Sequence, residues 1–242
     1  MKVIKLDAID STNDFLKRLL VAQSVENYIV VTTKSQTNGK GQMGSTWDSE
    51  AGKNLIMSIL VKDFLKDINH IFDLSIIISL SVIESLELLE IPRLSIKWPN
   101  DIMSENKKIG GILIENSIKS NGSISSVVGL GLNVNQTDFN FLPKASSLAL
   151  VCSRNFNIDE LLFLIVENIK NNIIRWKGHS NLMRENYINL LFKKGNPMPF
   201  QNKIKENFMG VIVGINKIGK IQILLENDSV SEFDIKEIQL LY

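Results

Sequence analysis

The chain has few residues that support disulfide or metal chemistry. Its 242 residues include one cysteine and two histidines. A lone Cys152 cannot form an internal disulfide, and His70 and His179 belong to no cluster with the spacing of zinc ligands. The serine-hydrolase pattern G-x-S-x-G is also missing from the sequence. These absences exclude a disulfide scaffold and disfavour a zinc enzyme or a serine hydrolase.

An excess of charge of one sign is lacking too. Lys and Arg number 27 against 26 Asp and Glu, a net charge of +1, whereas nucleic-acid binders are usually basic. Asp7 and Asp10 interrupt the short apolar start, so no secretory signal is recognisable and a reducing cytoplasm is the expected compartment. Acidic residues also interrupt the apolar run 71–89, which predicts a buried helix rather than a membrane span. We therefore expect neither nucleic acid nor a membrane as a partner.

The first informative motif present is a polar turn after an apolar strand. It reads Lys97-Trp98-Pro99-Asn100-Asp101, and Lys108 follows seven residues later. Pro99 lacks an N–H and keeps the preceding residue extended, which predicts that the strand 94–97 ends here. A second strand, 108–117, is predicted to run back beside the first, with both lysines flanking one pocket and the carboxylate at its mouth. Such cations neutralise phosphate or carboxylate oxygens, and a single Asp can hold Mg²⁺. An ordinary hairpin with solvated lysines is the alternative for this motif alone.

A glycine-rich segment upstream is the second motif. It reads Gln36-Thr37-Asn38-Gly39-Lys40-Gly41-Gln42-Met43-Gly44-Ser45-Thr46-Trp47. A dinucleotide fingerprint would have to open a helix, but turn formers and a predicted strand, 55–61, follow; a P-loop fails because Ser45 stands where its Lys belongs. What remains is a tight backbone able to approach an anion, with the charge of Lys40 and the stacking face of Trp47. A flexible surface loop is the alternative.

The third motif is Gly129-Leu130-Gly131-Leu132-Asn133-Val134-Asn135, which follows the apolar strand 124–128. Glycines in a strand often mark the close approach of a ligand or another backbone. Asn133 and Asn135 are predicted to project from one face, where their amides can donate and accept hydrogen bonds. A strand that runs into a turn is the alternative.

Periodicity and turn residues predict the remaining elements. A helix that Ser11 caps should lie between strands 3–6 and 28–33. Helical periodicity predicts helices over 158–176 and 182–192. Beyond a break at 193–197, the short apolar runs 208–215, 218–225, 230–233 and 238–241 predict a small all-β domain.

Taken together, the three motifs resemble biotin protein ligases in order and spacing, and Ser11-Thr12-Asn13 resembles that family's biotin-site segment. The resemblance spans nearly the whole chain. It implies an α+β fold, with a class II synthetase-like catalytic domain over 1–194, built on a mixed or antiparallel sheet with packed helices, and a small SH3-like β-barrel over 195–242. It further implies the short, enzyme-only type without an N-terminal DNA-binding domain, since the first predicted strand begins at Val3.

The resemblance also implies an activity. A biotin–[biotin carboxyl carrier protein] ligase forms biotinyl-5′-AMP from biotin and MgATP and then transfers biotin to a lysine of the carrier domain. The implied catalytic residues are Lys108 and Lys40; those for biotin are Ser11, Thr12, Asn13, Gln36, Gly39, Lys40, Gly41, Gln42 and Lys108; those for ATP are Trp47, Lys97, Asn100, Gly111 and Asn133; and Asp101 is the implied Mg²⁺ ligand. Many members carry Arg where Gln42 stands, which predicts weaker retention of the adenylate.

Two other functions stay open at this point. The same superfamily includes lipoate or octanoate ligases and transferases, but the transferase needs a Cys nucleophile, and Cys152 lies in an apolar run typical of packing. A non-catalytic biotin-binding protein that uses its barrel for protein contacts is the second. Oligomeric state, a homodimer included, the acceptor protein and the order of substrate binding are also open.

Overall fold

The computed structural model describes residues 2–118, 122–140 and 142–242 as two β-sheets with helices packed against the larger one. The strands are β1 (Val3–Ile9), β2 (Val30–Gln36), β3 (Leu55–Lys62), β4 (Leu94–Lys97), β5 (Asp101–Ser104), β6 (Lys107–Ile118), β7 (Ile124–Leu132), β8 (Pro197–Asn202), β9 (Asn207–Ile215), β10 (Ile221–Leu225), β11 (Val230–Phe233) and β12 (Ile238–Leu240). The α-helices are α1 (Thr12–Ala22), α2 (Ile71–Glu87), α3 (Leu148–Cys152) and α4 (Ile158–Asn189).

The larger sheet has seven strands in the order β1-β2-β3-β7-β6-β5-β4. The β1–β2 pair is parallel and the other neighbours are antiparallel, so the predicted mixed sheet of an α+β fold is confirmed. One expectation was wrong: β6 does not lie beside β4, because β5 is paired between them. Trp98, Pro99 and Asn100 complete the turn, and Asp101 already belongs to the next strand, where it pairs with Lys97.

Helix α1 places the first polar motif on the sheet. Ser11 caps it as predicted, accepting a hydrogen bond from the backbone N–H of Asp14. Leu16 on the inner face of the helix is fully buried with Val31, Leu60 and Val127 of the sheet. This packing fixes the helix N-terminus above β3 and β7.

Helices α2 and α4 cover the larger sheet beyond α1. Helix α2 is apolar on almost every face, and although its length and composition would suit a membrane span, two thirds of that stretch is buried, as expected of a core helix. Residues 158–189 consist of two helical segments that meet at a kink at His179, where φ is −134°, so the predicted break between two helices is present. Phe192, assigned to the second of those helices, lies beyond the helix end.

The smaller sheet has the order β11-β10-β9-β8-β12, and all its pairs are antiparallel. Four of its strands correspond to the predicted runs, but β8 was not predicted, since Pro197 and Pro199 disfavour a strand interior. Its apolar side chains, among them Phe200 and Ile212, join the same buried cluster as Ile96 of the larger sheet. The β-rich C-terminal region thus agrees with the expected SH3-like domain, while its boundary at residue 194 stays a prediction.

Candidate functional site

A cavity of about 660 Å³ lies between the two sheets. Its walls come from the start of α1, the glycine-rich segment, the turn before β5 and strands β6 and β7, and the smaller sheet closes the opposite side. The volume suits a ligand of drug or cofactor size. Of the predicted site residues, all except Gly39 and Asn133 line this cavity.

The start of α1 forms a polar corner of the cavity. Gln36 accepts hydrogen bonds from the backbone N–H and the hydroxyl of Thr12, at 2.8 and 3.2 Å. The Ser58 hydroxyl lies 2.7 Å from Thr12 Oγ1 and 2.6 Å from Asn13 Oδ1, and Asn13 Nδ2 donates to Glu115 at 2.8 Å. Because each group is held by another, the corner is preorganised for a small polar ring.

Two glycines of β6 and β7 give the cavity a flat floor. Gly111 and Gly131 are direct partners across the two strands. The Trp47 ring lies on this floor, so that a Cβ added at Gly131 would come within 2.4 Å of the ring. Gly129 similarly admits Asn13, whose Oδ1 lies 2.5 Å from where a Cβ would be. The glycines of the third motif thus admit two side chains, whereas the prediction was a ligand or another backbone. Strand β7 also continues through both glycines instead of ending at residue 128.

The glycine-rich segment is a closed loop rather than an open one. Trp47 N–H donates to the Gly39 carbonyl at 3.0 Å, and Gly41 N–H donates to the Ser45 carbonyl at 2.7 Å. A Cβ at Gly39 would clash with the Trp47 carbonyl at 2.2 Å, which explains why the narrow neck needs glycine. We call residues 39–47 the glycine loop.

An ion pair ties the glycine loop to α1. Lys40 Nζ lies 2.6 Å from Asp14 Oδ2, and Lys17 Nζ lies 2.8 Å from Asp14 Oδ1. Partial burial alone would raise the pKa of Asp14, but the hydrogen bonds from Lys17 and Lys40 outweigh it and lower the pKa. Asp14 therefore stays ionised and holds Lys40.

Two cations and one carboxylate meet at the predicted polar turn. Lys108 Nζ lies 2.6 Å from Asp101 Oδ1, and Lys97 Nζ lies 3.6 Å from Asp101 Oδ2. Lys108 also lies over the Trp47 ring, 5.6 Å from its centroid. Asn100 is fixed by β6, since its side-chain amide donates to the Ile112 carbonyl at 2.7 Å. The arrangement brings the predicted catalytic lysine, metal ligand and stacking ring together.

Tyr242 packs beside this cluster. Lys97 Nζ is 5.2 Å from the centroid of the Tyr242 ring and Lys144 Nζ is 4.3 Å from it. Burial, and then the negative charge of Asp101, raise the pKa of the Tyr242 hydroxyl. The ring is thus a neutral platform for two cations.

Other candidate residues lie elsewhere. Asn133 is buried, and its amide donates to the Ser146 carbonyl at 2.9 Å, while Asn135 donates to the Phe156 carbonyl at 2.9 Å. Both amides thereby hold loops in place. Cys152 packs against the core outside the cavity lining, and burial raises the pKa of its thiol. Within the described ranges no three His, Cys, Asp or Glu residues are grouped to hold a metal ion.

Sequence reasoning missed three residues of this region. Ser58 interrupts the apolar run of β3, whose other polar residue, Lys62, is at the strand end, and that interruption could have pointed to it. Glu115 follows the apolar residues of β6, and an acidic residue at that place in a strand could have indicated a polar partner nearby. Lys236, which lines the cavity from the smaller sheet, carries no local signal, because only the packing of the two sheets brings it there.

Comparisons with known proteins point in one direction. A family model described as the biotin/lipoate A/B protein ligase family matches residues 6–135. The bifunctional ligase/repressor BirA of Bacillus spizizenii is 30% identical over 152 residues, which are 63% of this chain and 46% of that protein. The biotin–[acetyl-CoA-carboxylase] ligase of Mycobacterium tuberculosis is 27% identical over 181 residues, 73% of this chain and 66% of that protein.

The fold comparison extends over the whole chain. The solved structure of the biotin protein ligase from Aquifex aeolicus in complex with biotin and ATP has a TM-score of 0.81 and 26% identity to this chain. That alignment covers 99% of this chain and 98% of the Aquifex chain. The similarity to this structure therefore includes the smaller sheet, which lies outside the span of the family model.

Proposed function

Because the chain belongs to the biotin/lipoate A/B protein ligase family, we propose that it is an ATP-dependent biotin protein ligase. One observation carries the proposal: a preorganised polar corner and a lysine–aspartate cluster face the same cavity. The corner suits the ureido ring of biotin, and the cluster suits phosphate and carboxylate oxygens. The Aquifex relative was solved with both biotin and ATP, which supports the pairing of these substrates.

In the first step, a carboxylate oxygen of biotin attacks the α-phosphorus of ATP. The bond from that phosphorus to the bridging oxygen breaks, and pyrophosphate leaves with the electron pair. Lys108 holds the two anionic reactants together and stabilises the charge that develops on the phosphoryl oxygens. Lys97 neutralises the phosphates, and Trp47 offers its ring to the nucleotide base.

In the second step, the amine of a carrier lysine attacks the carbonyl carbon of the mixed anhydride. The bond between that carbon and the phosphate oxygen breaks, AMP leaves, and the amine loses a proton. The glycine loop covers the adenylate until the carrier domain arrives, which limits hydrolysis by water. We propose a biotin carboxyl carrier domain as the acceptor, in keeping with the name of the Mycobacterium relative.

Asp101 is the proposed ligand for Mg²⁺. Mg²⁺ usually takes one or two carboxylates from a protein and completes its coordination shell with water and substrate phosphates. A single Asp beside Lys97 and Lys108, the lysines proposed to contact the phosphates, therefore suits this ion. When bound, the ion would add positive charge against the phosphates. Asp101 also orients Lys108, whose ammonium it contacts.

Biotin-dependent exchange of labelled pyrophosphate into ATP is the test. We expect exchange with biotin and none without it, followed by addition of one biotin mass to a carrier domain. Exchange with lipoate or octanoate instead would assign the chain to the other branch of its family, and biotin binding without exchange would make it a non-catalytic binder. A Cys-dependent transferase is disfavoured because Cys152 lies outside the cavity lining and its thiol pKa is raised.

A further inference from the structure

The contact between the smaller sheet and the glycine loop has no part in the steps above. Lys236 lies in the turn before β12, and its Nζ donates to the Met43 carbonyl at 2.9 Å. The two residues are 193 positions apart in the chain. Because Met43 is at the tip of the glycine loop, this bond joins the tip to the opposite wall of the cavity.

Lys236 differs from the other lysines that line the cavity. Lys40 is paired with Asp14, and Lys97 and Lys108 share Asp101. Lys236 forms no ion pair with any residue of the described ranges, and its one hydrogen bond is to a neutral carbonyl. The Lys236 ammonium group therefore contacts the glycine loop and not the carboxylate of a neighbouring acidic residue.

The backbone on both sides of this bond is fixed in an uncommon conformation. Met43 has φ of 54° and Lys236 has φ of 66°, both in the left-handed region that non-glycine residues rarely adopt. Met43 lies inside the short 3₁₀ turn, Gln42–Gly44, that forms the loop tip, and its φ and ψ depart there from helical values. Met43 is 61% exposed as a residue, so apolar packing of its side chain does little to hold the tip.

We propose that Lys236 is a positioning residue that latches the glycine loop shut over the ligand. The loop is then held at two points, by Asp14 on Lys40 at its neck and by Lys236 on Met43 at its tip. Without the latch the loop is attached at the neck alone, so the tip swings away and the backbone hydrogen bonds of the neck open more often. The latch controls how long a bound ligand remains in the cavity, and it leaves the chemistry of the Lys108 cluster unchanged. This role deepens the proposed function and rests on it for the identity of the ligand.

The first test needs no ligand. The bond between Lys40 and Gly41 is a trypsin site, but Gly41 is held to Ser45 in the closed loop, so cleavage there requires the loop to open. We expect the ligand-free Lys236→Met variant to be cleaved after Lys40 about 3–10 times faster than wild type, as loss of one hydrogen bond would give. Cleavage is followed by mass spectrometry of the fragment that ends at Lys40.

Lys205→Met is the matched control. Lys205 is exposed, lies in the same sheet region, also has positive φ, at 64°, and does not line the cavity. Lys236→Arg keeps a donor and should restore protection to within about twofold of wild type. Equal cleavage after Lys40 in Lys236→Met and Lys205→Met would overturn the latch.

The second test measures residence of the ligand. We expect biotinyl-5′-AMP to leave Lys236→Met about 3–10 times faster than wild type, with the first-turnover adenylation rate at saturating substrates within about twofold. A matching fall in the adenylation rate without faster release would overturn the latch, since that result places Lys236 in the chemistry. If no adenylate forms in any variant, the proposed function fails while the protease result still decides the latch.

Discussion

At the scale of single residues, the positions of three charged groups account for the proposed chemistry. Asp101 contacts Lys97 and Lys108 through different carboxylate oxygens, and its negative charge offsets the repulsion between the two ammonium groups. Anionic reactants that enter between the lysines replace part of that interaction. A cation that stabilises the transition state is most effective when its position is fixed before the substrates bind, because no reorganisation is then needed during the reaction.

Replacement of Lys108 by Ala should cripple adenylation and leave the fold intact. Loss of one preorganised electrostatic group typically costs about 2.7–4 kcal/mol, which is a factor of about 10²–10³ in rate. Single-turnover formation of biotinyl-5′-AMP measures it. Lys107→Ala is the control, because Lys107 is the exposed neighbour on the same strand and does not line the cavity. Rates within threefold of wild type for Lys108→Ala, with biotin bound normally, would remove Lys108 from catalysis.

At the scale of elements, the glycine loop combines a hydrogen-bonded neck with a tip that has few contacts. Glycines at 39 and 41 allow the two arms to hydrogen-bond at close range. The tip is bonded to the smaller sheet through Lys236, and Gln42 beside it lines the cavity. The residence time of a bound adenylate should then depend on the hydrogen bonds that residues at the loop tip donate to it. Lys40 is held by Asp14 at 2.6 Å, as Lys108 is held by Asp101 at 2.6 Å, and its roles in catalysis and biotin binding stay predictions.

An arginine at position 42 should slow the escape of the adenylate. A guanidinium can make charge-assisted hydrogen bonds worth about 1.5–3 kcal/mol, against about 0.5–1.5 kcal/mol for the neutral amide of Gln42. A difference of about 1–2 kcal/mol predicts release about 5–30 times slower from Gln42→Arg. A chase of labelled biotinyl-5′-AMP at fixed salt measures it. Gln23→Arg, an exposed site at the end of α1, controls for the added charge; release as fast from Gln42→Arg as from this control would show that the amide is no weakness.

Elements whose signal is local were predictable, and those that depend on partners were not. Ser11 capped α1 as its side-chain chemistry indicates, and the apolar run of α2 was correctly placed in the core. Strand β5 was missed because the four residues Asp101–Ser104 follow directly on a Pro-Asn turn. The lysine–aspartate cluster could be predicted because one turn carries two of its members, but Lys236 could not, since its position depends on how the two sheets pack.

At the scale of the whole molecule, the turn between β9 and β10 joins the two sheets. Trp98 Nε1 donates to the Gly219 carbonyl at 2.8 Å, next to the polar turn of the site. Gly219 also lies against the Phe72 ring at the start of α2, where a Cβ would come within 2.1 Å. Arg184 of α4 donates to the Lys217 carbonyl at 3.0 Å. The smaller sheet is therefore fastened to both the site and the helices.

A methyl group at this joint should destabilise the protein more than the same change elsewhere. Gly195 and Gly219 both have positive φ, at 74° and 91°, but a Cβ at Gly195 meets nothing within 4 Å. Gly195→Ala should lower the free energy of unfolding by about 1–2 kcal/mol through backbone strain. Gly219→Ala should lower the free energy of unfolding by about 1–3 kcal/mol more than Gly195→Ala does, because its methyl group overpacks against Phe72. Urea unfolding of both variants measures the difference, and equal losses would mean that the joint relaxes without cost.

The cavity also concentrates charge in a molecule that is nearly neutral outside it. Four lysines and a single aspartate line the cavity, while the whole chain carries only +1. At physiological ionic strength the Debye length is about 8 Å, so a distant anion is screened from this local excess. Added salt should therefore change the encounter rate of a nucleotide little and shorten its stay instead. Discrimination between anionic ligands would then lie in how long each one stays, which fits the proposed reaction, since pyrophosphate has to leave while the adenylate remains.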